Sequence, residues 1–98
     1  VTVGLRSSKM ISMKPIVSVV LYTRPGCHLC DEAKASIRAA GCDDEFTLEE
    51  INIDADPQLR ELYGEDIPIV FINGTKAFKH RVDPREFRRK LRRLSERI

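Results

Sequence analysis

The chain has no apolar run near the roughly 18 residues that a membrane-spanning helix needs. Its longest apolar stretch, "PIVSVVLY", is only long enough for a strand. Three cysteines are an odd number, and too few for the disulfide framework of a small secreted protein. The first fourteen residues, "VTVGLRSSKMISMK", are basic and polar. They lack the apolar core of roughly 7–15 residues that marks a secretory signal. These absences exclude a secreted cysteine scaffold and a membrane span, and they predict a protein of the reducing cytoplasm. Met10 and Met13, shortly before the first strand, are candidate translation starts.

What is present fits one soluble globular domain: 98 residues, 42% apolar and 33% charged. The net charge of +2 hides a strong segregation. Residues 31–66 hold 12 acids against 3 bases, and residues 67–98 hold 10 bases against 3 acids. Such an imbalance bears on partner steering more than on fold.

The local patterns predict seven elements. Residues 1–14 read as an arm and 15–98 as the domain. "IVSVVLY" (16–22) is β-branched and nearly continuous, as a strand covered on both faces would be. After "TRPG", the apolar positions Leu29, Ala33, Ile37 and Ala40 recur at helical spacing, and Gly41 marks the stop. "FTLEEINID" (46–54) is a second strand. Asp56 as N-cap, Pro57 as first helical residue and Gly64 as terminator frame a short helix. "IPIVFI" (67–72) is a third strand, and Asn73-Gly74 signals a hairpin into "TKAFKHRV" (75–82). Asp83 and Pro84 open a last helix, on which Phe87, Leu91, Leu94 and Ile98 form one apolar stripe. The order β-α-β-α-β-β-α makes an α/β fold, a four-stranded mixed sheet with helices on both faces. Strands joined through a helix are expected to run parallel, and the hairpin adds an antiparallel edge.

Chemistry concentrates in "YTRPGCHLC" (22–30), where Cys27 and Cys30 stand two residues apart at a helix start. A redox couple, half of a metal site and a pair of inert thiols are the three readings. The first turn of a helix offers unpaired N–H groups and a partial positive charge, and both stabilise a thiolate. Cys27 takes that position, with Arg24 before it and His28 beside it as further sources of positive potential. Cys30 lies nearly one turn further in, suited to resolve what Cys27 attacks. A closed zinc site needs four ligands, usually two close pairs. The chain has one CxxC; Cys42 lies at the far end of the same helix, and His28 and His80 are isolated. The strand, Pro-Gly turn, CxxC and helix in sequence favour redox chemistry.

The last helix also carries Arg85, Arg88, Arg89, Lys90, Arg92, Arg93 and Arg97. The one aromatic residue among them, Phe87, belongs to the apolar stripe, which argues against single-stranded nucleic acid. They read as the solvated side of an amphipathic helix. Cys42 reads as a surface or half-buried thiol without a role, and His80 as a surface residue.

"YTRPGCHLC", "INIDADPQLRELYG", "DIPIVFING" and "TKAFKHRVDPREFRRKL" together resemble the glutaredoxin-like branch of the thioredoxin-fold superfamily over about residues 15–95. The resemblance implies a thioredoxin-like fold, with Cys27 as nucleophile and Cys30 as resolving cysteine. It implies that Ile67-Pro68 is the cis-proline site, offering the backbone of residue 67 for strand-like pairing with substrate. Arg24 matches a basic position that helps bind a glutathione carboxylate, and His28 is the other candidate contact. Two departures stand out. His28-Leu29 replaces the Pro-Tyr common between the cysteines of dithiol glutaredoxins. "AFKHRVDP" replaces the Gly-Gly-x-Asp stretch that holds the γ-glutamyl end of glutathione, and Asp83 reads as a helix cap.

The expected function is thiol–disulfide exchange on protein or glutathione mixed disulfides. It needs no metal and no organic cofactor, with glutathione as a possible co-substrate. Glutathione or a reductase would supply electrons to a monomeric protein that acts on no membrane and no nucleic acid. The competing class is a non-enzymatic module: an iron–sulfur or metal carrier, or an adaptor that uses the basic helix.

Overall fold

The computed structural model describes residues 16–95. The arm at 1–14, and Arg97 and Ile98 of the last helix, lie outside the described residues. The elements are β1 (Val17–Thr23), α1 (His28–Ala39), β2 (Phe46–Asn52), α2 (Pro57–Tyr63), β3 (Ile69–Ile72), β4 (Thr75–Lys79) and α3 (Pro84–Ser95). One-turn 3-10 segments precede β2 at Asp43–Glu45 and follow it at Ile53–Ala55. The strands form one sheet in the order β2-β1-β3-β4. The expected α/β, thioredoxin-like fold with a mixed four-stranded sheet is what the chain adopts.

The pairing corrects one expectation. β1 and β2 run parallel, as their helical crossover requires, but β3 pairs antiparallel to β1 although α2 lies between β2 and β3. The reason is length. β2 and β3 flank β1, roughly 10 Å apart at the usual strand spacing. The seven residues of α2 span about the same distance at a rise of about 1.5 Å each. The helix therefore bridges the two strands at one end of the sheet and never returns along it.

Several strand ends also differ from the sequence expectation. Pro68 has no N–H to give a ladder, and β3 starts after it. β4 stops at Lys79 because His80 takes a positive φ of 74°. A bulge at Val70/Phe71 offsets the β3–β4 ladder. The hairpin itself forms as its dipeptide predicts, with φ 49° at Asn73 and 83° at Gly74.

Alternation along β1 sorts the two faces. Val17, Val19 and Leu21 are buried against α1 and α3, together with Val70, Ile72, Ile37, Phe87 and Leu91. Tyr22 and Phe71 point the other way, where Tyr63 of α2 packs on both. Helices thus cover both faces. Phe87 is fully buried and meets the ring of Phe46 edge-on, with centroids 5.4 Å apart.

The basic side of α3 is less solvated than its pattern predicts. The Arg88 Nε donates to the Ala40 carbonyl at 3.1 Å, at the negative end of α1. Lys90 Nζ donates to the Ala77 carbonyl at 2.8 Å and lies 4.6 Å from the centroid of the Phe78 ring. Two of the bases therefore fasten the helix to its neighbours. Cys42 is also a correction: it is 1% exposed and belongs to the main core, with its thiol donating to the Ala40 carbonyl. The chain folds inward after Gly41, which carries that side chain under the sheet.

Phe87→Ala removes the largest side chain of this core and is expected to cost about 3–5 kcal/mol in urea unfolding. Leu62→Ala, at an exposed position, is expected to leave the midpoint nearly unchanged.

Candidate active site

The site begins with the turn that ends β1. Pro25 supplies the fixed φ of the second turn position, and Gly26 takes φ 77° at the third, the pattern of a type II turn. The Cys27 amide donates to the Arg24 carbonyl at 3.3 Å and closes it. Cys27 is then the N-cap of α1, with extended backbone angles. Its sulfur accepts the Cys30 amide at 3.2 Å, the bond that a serine or aspartate oxygen makes at other helix starts. The two cysteines are disulfide-bonded, with Cα atoms 5.2 Å apart.

Exposure separates the two cysteines. Cys30 is 1% exposed, whereas Cys27 is half-buried. Cys30 packs with Ile53 and Ile67 in a small cluster, which Cys27, Tyr22, Leu59 and Tyr63 border. The Ile67–Pro68 bond is cis, and both residues are buried. The Ile67 amide donates to the Tyr63 carbonyl at 3.2 Å, so the carbonyl is the polar backbone group that this residue has left to offer. The structure thus gathers Cys27, Cys30, Ile67 and Pro68 at one end of the sheet. It adds Tyr22, Ile53, Leu59 and Tyr63, which are far apart in sequence and meet only because α2 bridges that end.

Arg24 and His28 are placed differently from the sequence expectation. Arg24 donates through Nε and Nη2 to one oxygen of Asp54, at 3.3 and 3.0 Å. Asp54 sits on the 3-10 turn after β2, its amide held by the Asn52 side chain at 2.8 Å. His28 is 87% exposed and its Nε2 lies 3.1 Å from Glu32, one turn further along α1. Each base beside Cys27 is therefore matched with a carboxylate. The His28–Glu32 spacing of four was readable in the sequence. The Arg24–Asp54 pair spans thirty residues and had no local signal.

A cleft of about 280 Å³ lies beside Leu29, walled by Glu32, Ala33 and Ser36 of α1 and by His80, Arg81, Val82 and Asp83. Asp83 caps α3, accepting the Glu86 amide at 2.9 Å, as its position before Pro84 predicts. His80 is exposed, with Nε2 3.1 Å from the Glu65 carbonyl oxygen. Among the described residues, no group of three or more His, Cys, Asp or Glu stands close enough to hold a metal ion. No helix among them is long and apolar enough to cross a membrane.

A Cβ added at Gly26 meets nothing within 4 Å, so any cost there is backbone strain. Gly26→Ala is expected to lower stability by roughly 1–2 kcal/mol, measured by urea unfolding of the oxidised protein.

Comparison with known proteins agrees with this geometry. The family profile described as "Glutaredoxin-like domain (DUF836)" matches residues 18–92. A glutaredoxin-like protein of Dictyostelium discoideum is 35% identical, covering 78% of this chain and 76% of the relative. Protein Ne2328 of Nitrosomonas europaea is 32% identical, with a TM-score of 0.68 over 81% of this chain and 95% of that one. A thioredoxin of Halobacterium salinarum superposes with a TM-score of 0.57 over 81% of this chain and 74% of that one; at 14% identity it shares the fold alone. With a thioredoxin-like fold, and on the profile match and the Dictyostelium relative, this chain belongs to the glutaredoxin-like (DUF836) family.

Proposed function

We propose that the protein is a thiol–disulfide oxidoreductase that reduces protein or glutathione mixed disulfides through Cys27 and Cys30. The observation that carries this reading is the asymmetry of the pair. Cys27 caps a helix at the surface, its sulfur on the Cys30 amide, and Cys30 is buried behind it.

The chemistry follows from those positions. Reduced Cys27 is the accessible sulfur, and the helix start favours its thiolate. The thiolate attacks one sulfur of a substrate disulfide; a Cys27–substrate disulfide forms and the other substrate sulfur leaves as a thiolate. The Cys30 thiolate then attacks the Cys27 sulfur. The bond to the substrate breaks, the second substrate thiolate leaves, and Cys27–Cys30 is the new disulfide. The substrate gains two electrons and the protein loses two. Glutathione or a reductase returns them.

No metal or organic cofactor enters this scheme. The cleft beside Leu29 carries both signs of charge, and its lining includes neither cysteine nor Arg24. For Arg24 to bind a glutathione carboxylate, it has to exchange Asp54 for it. His28, turned to Glu32, is free to swing at the rim because it is so exposed. Backbone pairing with a protein substrate falls to the Ile67 carbonyl, next to Pro68. The protein acts as a monomer in the reducing cytoplasm. The adaptor reading gains no specific support, since several bases of α3 are tied within the fold.

Cys27→Ser is expected to abolish reduction of a test protein disulfide. Cys30→Ser is expected to leave the attack intact and to accumulate the mixed disulfide, visible as added mass on Cys27. Supplying electrons either from glutathione or from thioredoxin reductase identifies the donor. Undiminished turnover by the Cys27→Ser protein refutes the assignment.

A further inference from the structure

The acid that meets Arg24 has no part in the exchange scheme, yet it pairs with the residue that opens the turn to Cys27. Arg24 and Cys27 are joined through the backbone, by the 3.3 Å bond that closes the turn. The Arg24 guanidinium gives two of its donors to the same oxygen of Asp54. Asp54 is not free to drift. Its amide is held by Asn52, and its neighbour Ile53 is fully buried in the cluster around Cys30. The imidazole next to Cys27 in the chain also has a carboxylate partner, His28 with Glu32.

We propose that Asp54 sets the acidity of the Cys27 thiol by holding Arg24, the first residue of the turn that carries Cys27, as a neutral pair. A lone guanidinium near a thiol favours the thiolate and lowers its pKa, and a lone carboxylate does the reverse. Paired, the two fields largely cancel. What then favours the thiolate is the start of α1, through the Cys30 amide. Asp54 thus keeps the thiol less acidic than the Arg-Pro-Gly-Cys sequence implies, and Arg24 stays in reserve for any ligand that displaces it.

Other titratable groups on the elements around Cys27 are partnered elsewhere: Asp66, next to Ile67, meets Lys79 at 3.9 Å. Asp31 is 74% exposed and leans toward Lys34, at 4.0 Å. His28 and Glu32 are matched at the surface. Tyr22 stays neutral, since burial, Tyr63 and Glu49 all raise its pKa above the ordinary value. Tyr63 borders the cluster from α2 as a second phenol.

The proposal rests on Cys27 being the reactive thiol of the exchange scheme, but its test needs no turnover. In a Cys30→Ser background, the rate of iodoacetamide alkylation is followed against pH at the Cys27 peptide by mass spectrometry. This excludes signal from Cys42. Asp54→Asn is expected to lower the thiol pKa by roughly half a unit, and Arg24→Gln to raise it by about as much. The double variant is expected to return near the parent value. Below the pKa, the Asp54→Asn protein should alkylate roughly threefold faster. Asp54→Glu keeps the charge and is expected to leave the pKa close to the parent; it serves as the second variant if Asp54→Asn folds poorly. A merely structural strap would lower the melting temperature in both single variants without opposite pKa shifts. Shifts of the same sign, no shift, or a double variant that fails to return overturn the proposal. An inactive enzyme whose Cys27 shows the opposed shifts would refute the exchange scheme and leave this inference standing.

Discussion

The Arg24 carbonyl accepts the Cys27 amide, and that bond turns the chain from an interior strand into a helix. Most of what is chemical in the molecule depends on it. β1 is paired on both sides, by β2 and by β3, so its end is fixed in space. The turn transfers that fixity to the start of α1. It places one sulfur in the cap position and its partner one turn deeper. α2 bridges β2 to β3 over the same end, and its Leu59 and Tyr63 complete the wall. The cysteine pair therefore stands between regular elements, beside a turn closed by a hydrogen bond.

The electrostatics of the site are those of a helix start with its obvious cations matched. A single exposed ion pair contributes little to stability, typically about 0–1 kcal/mol. Its effect on a neighbouring thiol is a different matter, since removing one partner leaves a full charge of one sign. Arg24–Asp54 therefore bears more on reactivity than on folding.

Local features of the fold were readable in the sequence because their causes are local. Asp56 and Asp83 cap the helices that their following prolines announce, and Asn73-Gly74 makes the hairpin. The stripe of Phe87, Leu91 and Leu94 faces the core side of α3, with the first two fully buried. Non-local features were not readable. The direction of β3 depends on whether a seven-residue helix bridges or returns, which periodicity does not encode. The destination of the Arg24 side chain depends on a turn thirty residues away. The Cys27/Cys30 pair and the Ile67-Pro68 step could each be read from the sequence because each is a short contiguous motif. Tyr63, Leu59 and Ile53 join them only through packing. Arg88 and Lys90 looked like solvated bases because a charge on the polar side of a helix does not reveal a carbonyl within its reach.

Those two bonds recast the charge segregation of the chain. The acidic middle and the basic end lie apart in sequence, yet Arg92 reaches Glu45 at 3.4 Å and Lys79 reaches Asp66 at 3.9 Å. With Arg88 on the end of α1, the basic segment reads less as a free cationic tail than as the clasp on an acidic strap. Much of its charge is already spoken for inside the fold, so added salt would loosen the clasp as well as weaken any acidic partner.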